Sequence, residues 1–259
     1  MYKGVTSMKQ ANRTLLIILL FSVIIPAATF LLPVPEGALG GTQGFLIATA
    51  TSALLAWLHA GAAMLFLDGL AGFKPRLKRA YFIICFGLVA TAISLMQFPI
   101  LSIFNLFYSS WAVNGGTVLP VIGTLLIYGG LLAFATGLNI KHMPTQPWLV
   151  LPAGVLIAMV GGLAPGAFDV TLAGYWLSAV LCIAVVWLII RIKQAAGPAY
   201  TNALAWFAIA PFVNTLGLLL VIVYLSTGQE VPTVAFIPFA FVGALYVKAG
   251  YAFNKIKEY

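Results

Sequence analysis

One imidazole sits in the middle of a long apolar run, and it is the first place in this chain to look for chemistry. His59 stands in LLAWLHAGAAMLFLD, flanked on both sides by residues with nothing to ionise. An ionisable group near the midplane of a bilayer is costly to keep, so it marks a ligand or proton path unless packing explains it. The other polar side chains at similar depth are neutral: Gln97 beside Pro99, Tyr128, and Asn214. Each lies within roughly two helical turns of its segment's midpoint, so with His59 they read as a mid-membrane belt. Such a belt could bind a quinone, a lipid or a neutral solute. It could equally be glue between helices, where each hydrogen bond contributes only about 0.6 kcal/mol on average.

Other residues invite a mechanism and then fail on geometry. Asp68 shares a segment with His59, but the nine steps from one to the other turn a helix through about 900°. That places the two on opposite faces and roughly 13 Å apart. Lys248 could hold a chromophore as a Schiff base, but it falls toward the end of its segment, where an ammonium snorkels to the interface. A single midplane histidine does not supply the axial ligands of transmembrane haems, and no cluster of His, Cys or carboxylates offers a metal site. Cys85 and Cys182 lie inside apolar runs and read as small buried hydrophobes, with neither disulfide nor metal spacing. No nucleophile with an acid–base partner appears, so the expectation is a chain without catalytic activity of its own.

These residues need elements to position them, and composition says what kind. Hydrophobic residues make up 63% of the 259 positions and charged residues 7%, too few to cover a water-soluble domain. A bilayer core takes about 20 apolar residues per helix. The chain divides into eight such segments, approximately 14–32, 45–70, 80–107, 118–138, 148–165, 172–192, 202–225 and 232–253. The expected architecture is therefore an all-α polytopic bundle of eight transmembrane helices in one domain, 1–259. The first segment is too long for a signal peptide and reads as a retained helix.

Charge placement orients the bundle. The net charge of +8 suggests nucleic acid only until its positions are read, because all 13 Lys and Arg fall at segment ends or in short connections. In an eight-helix model they all lie on one side, while the other carries Glu36, Asp169 and Glu230. The positive-inside bias then puts both termini in the cytoplasm and the protein in the cell membrane. Pro99 and Pro211 each fall inside a segment and predict local kinks. A basic connection after the second segment of each half, and a proline in the third, outline a parallel four-plus-four repeat with no repeated residue string.

Three functions fit this outline. A non-catalytic subunit or anchor of a larger membrane complex, facing quinone or lipid, ranks first. A transporter or channel for a neutral or lipophilic solute follows, and a sensor signalling through a separate cytoplasmic protein comes third. The expected partners are the bilayer and other membrane subunits or further copies of the chain, with no nucleic acid.

Overall fold

The computed structural model describes residues 41–70, 75–103, 110–140, 147–227 and 237–256. They form α1 (Gly41–Gly69), α2 (Pro75–Ile103), α3 (Ser110–Gly137), α4 (Pro147–Gly162), α5 (Val170–Ala195), α6 (Pro198–Ser226) and α7 (Ile237–Asn254). Among the described residues there is no strand, and the expected segment at 14–32 lies outside them. Five helices contain stretches long and apolar enough to cross a membrane: Ala50–Gly69, Leu77–Met96, Val118–Gly137, Val170–Ala195 and Pro198–Ser226. Twenty helical residues rise about 30 Å, the thickness of a bilayer's hydrocarbon core.

The helix starts differ from the sequence reading for local reasons. The second described helix begins at Pro75 rather than near 80, and α6 at Pro198 rather than near 202. Proline is preorganised for a first helical position, where its missing N–H is no loss. The α5 helix starts at Val170 because Asp169 caps it. One carboxylate oxygen accepts from the backbone N–H of Thr171 at 2.7 Å and of Leu172 at 3.1 Å. At the other end of α3, Asn139 adopts φ 55°, the left-handed conformation that closes a helix and that asparagine tolerates.

Six of the helices close into a ring. Contacts run α1 to α2, α2 to α3, α3 to α5, α5 to α6, α6 to α7, and α7 back to α1, while α4 packs on α5 from outside. The ring is thus two runs of three helices, α1–α3 and α5–α7, joined at two seams. Register gives the directions. Phe66 meets Tyr81 and the Cys85 thiol meets the Ala63 carbonyl, so α1 and α2 are antiparallel. Positions 243 and 250 of α7 abut Leu58 and Leu65 of α1, so these two helices run parallel. A close backbone approach joins α2 and α3, where a Cβ on Gly87 would lie 2.6 Å from the Gly123 carbonyl oxygen. Without a hydrophobic drive between helices in lipid, such small-residue contact is a main source of association.

At one end the ring is filled with aromatic side chains. Phe253 of α7 lies 5.2 Å from Phe66, 5.5 Å from Tyr81, 6.3 Å from Phe134 and 6.1 Å from Phe207, measured between ring centroids. It therefore touches four other helices of the ring. The same end carries exposed cations: Lys78 and Arg79 at the start of α2, Arg191 and Lys193 at the end of α5, and Lys255 after α7. Around the outside, the exposed side chains include Phe82, Phe86 and Ile93 of α2, Leu156 and Val160 of α4, and Phe212 and Val223 of α6. An apolar girdle of this extent fits contact with lipid rather than water.

Candidate functional site in the middle of the bundle

Away from the basic end, the aromatic plug gives way to polar groups. Phe207 lies 5.3 Å from Tyr246, and Tyr246 stacks edge-on with His59 at 5.3 Å. His59 is 3% exposed and Tyr246 5%, so both point into the ring. His59 Nδ1 is 2.8 Å from the Leu55 carbonyl oxygen. A carbonyl can only accept, so Nδ1 carries the proton and donates it. The neutral ring then keeps a bare lone pair on Nε2.

Across the ring, the Asn214 amide Nδ2 donates to the Cys182 sulfur at 3.3 Å, joining α6 to α5. Thr124 of α3 stands within reach of the same thiol. Its own hydroxyl donates back along α3 to the Pro120 carbonyl at 2.8 Å. The Cys182 sulfur also lies within electrostatic reach of the Tyr246 hydroxyl. Side chains from α1, α3, α5, α6 and α7 therefore converge at mid-depth. Pro211 adds to this polarity, because it leaves the Phe207 carbonyl without its helical donor.

Hydrogen-bonding capacity here is only partly spent. Among the described residues, the side-chain hydrogen bonds of His59 and Asn214 use only Nδ1 of the first and one amide hydrogen of the second. Asn214 and Thr124 are only half-buried, although their partner Cys182 is 2% exposed. Beyond this level packing continues in a second buried cluster of Leu172, Ala179, Cys182, Leu218 and Ile222.

Comparison with protein families, with curated proteins and with solved structures finds no match. The site is therefore read from its own geometry.

Of the four residues singled out by sequence, three can be placed. His59 is buried at the centre. Asn214 faces α5. Tyr128 is 4% exposed and belongs to the main hydrophobic core. Gln97 falls within the backbone range of α2, and its side chain lies outside what is described. Neither His59 nor Asn214 bonds to another of these four. Their partners are Tyr246, Leu55 and Cys182, which sequence reasoning did not select as site residues. Cys182 is buried as expected, and its sulfur also accepts the Asn214 hydrogen bond.

The residues rejected on helix geometry stand apart from the site. Asp68 is exposed while His59 is buried, on the opposite side of α1. Lys248 is exposed, with its ammonium 5.6 Å over the Trp206 ring rather than inside the ring of helices. A second, purely apolar feature lies outside, between α4 and α5. It is a groove of about 250 Å³ lined by Leu156, Ile157, Val160, Gly161 and Trp176.

Proposed function

We propose that this chain is a membrane-embedded binding bundle for a small, uncharged, largely apolar molecule, acting as a carrier for it. The carrying observation is the mid-depth cluster. Neutral polar groups from several helices converge where burial is incomplete, with hydrogen-bonding capacity left over and an aromatic plug beneath them. Ligand sites in helix bundles have this composition, apolar walls with a few convergent polar groups. A neutral cluster suits an uncharged ligand, since no fixed charge is present to repay the desolvation of an ion.

In this reading the protein is a single domain of eight helices in the cell membrane, with the basic end and both termini on the cytoplasmic side. The plug then closes the cytoplasmic half of the path. The alternative of a structural subunit draws on α4, which stands outside the ring and exposes Leu149, Leu156, Met159 and Val160. Those side chains could meet a partner helix, although lipid satisfies them equally well.

Thermal unfolding of the purified protein in lipid nanodiscs tests the proposal. A panel of neutral lipophiles should contain some that raise the melting temperature by several degrees, and Asn214→Leu with His59→Phe should abolish that rise. A chain that is unstable alone, and that no small molecule stabilises, would favour the subunit.

A further inference from the structure

The open hydrogen-bonding groups at mid-depth are not chemically even, and the asymmetry specifies the ligand. His59 cannot choose its role. Its Nδ1 is 2.8 Å from the Leu55 carbonyl, so the proton is held there and Nε2 presents only a lone pair. Asn214 spends one amide hydrogen on Cys182, which leaves its carbonyl oxygen and its second amide hydrogen, so it can serve in either sense. The Tyr246 ring packs edge-on against His59, and its hydroxyl can serve in either sense. The surroundings are otherwise aromatic, with Phe207 against Tyr246 and Phe66 against Phe207.

One fixed acceptor, His59 Nε2, set among aromatic side chains pairs with a donor. We infer that the ligand is a lipophile bearing a hydroxyl, a phenol, hydroquinone or sterol alcohol in type, whose O–H donates to His59 Nε2 beside Tyr246. This rests on the binding reading above and narrows it. A quinone offers carbonyl oxygens alone and would set acceptor against acceptor at His59. A buried polar group left facing a ligand that cannot pair with it is how such sites reject analogues lacking the matching hydrogen.

The test uses the full-length protein in phosphatidylcholine nanodiscs, labelled with ¹⁵N at histidine. The chain has two histidines, so His142→Gln assigns the remaining ring signals to His59. The probes are 4-hexylphenol and 4-hexylanisole, which differ in replacing the hydroxyl hydrogen with methyl. Before addition, the His59 signals should be those of a neutral ring protonated at Nδ1. The phenol should then shift the unprotonated Nε2 resonance upfield and raise the melting temperature. At equal membrane concentration, the anisole should bind roughly tenfold more weakly and leave Nε2 unmoved, as expected for one lost buried hydrogen bond. His59→Phe, which keeps an aromatic ring at the site, should erase the preference between the two.

Equal stabilisation by both probes with an unmoved Nε2 would overturn the donor assignment while leaving the binding bundle standing. A ring protonated at Nε2 in the free protein would overturn it as well. Failure of both probes and of the wider lipophile panel to stabilise the protein would remove both readings together.

Discussion

At the scale of single residues, the account separates side chains that hold the bundle from side chains that wait for something. Asn214 bonds to Cys182 across two helices, yet such a bond inside a membrane is worth only about 0.6 kcal/mol. Asn214→Leu should therefore change unfolding free energy in mixed micelles by less than about 1 kcal/mol while removing ligand-induced stabilisation. A loss several times larger would make the residue structural. Asp169 is the opposite case, a cap with two backbone N–H groups on one oxygen. Asp169→Ala should cost about 1 kcal/mol and leave ligand response intact, read by the same unfolding measurement. The signal for this cap was present in the sequence as an acidic residue just before an apolar run. The same carboxylate also fits the topological charge pattern, so sequence alone does not separate the two roles. His59 was legible because nothing else ionisable lies near it. Tyr246 was not, because a tyrosine beside Lys248 looks the same from sequence whether it faces the interior or the headgroups.

At the scale of elements, the apolar runs and their breaks located the seven described helices, with starts displaced by up to eight residues, of which those at Pro75, Val170 and Pro198 follow from a proline or a cap. Which face of each helix turns inward was beyond the sequence. In a soluble protein, water marks the outer face as polar, but in a bilayer the lipid and the core are equally apolar. Phe241 and Phe253 lie on one helix, yet the first is 59% exposed and the second 4%. Small residues carry the missing information, since they mark where backbones come close. A side chain at Gly161 would meet the Trp176 ring, which holds α4 against α5. Gly161→Val should therefore loosen α4 selectively, raising hydrogen exchange across Pro147–Gly162 while the ring helices stay protected. Uniform loss of protection would contradict the place of α4 outside the ring.

For the whole molecule, the ring order explains how a chain with so little chemistry can still build a site. Two runs of three helices close on each other, and the closure brings His59 and Tyr246 from one seam toward Cys182, Asn214 and Thr124 at the other. Phe253 sits where four other helices meet, so Phe253→Ala should be among the most damaging single changes, costing about 3–5 kcal/mol through lost packing. A mild effect in thermal unfolding would mean that the plug is not a single packed unit. The central claim is that the chain by itself encloses a small neutral ligand. Native mass spectrometry of the protein extracted gently from its own membrane tests this most directly. The account predicts the chain alone or with copies of itself, carrying an uncharged small molecule that disappears in the His59→Phe, Asn214→Leu variant. Stoichiometric foreign subunits, with no small molecule bound and a chain that unfolds once they are stripped, would contradict it.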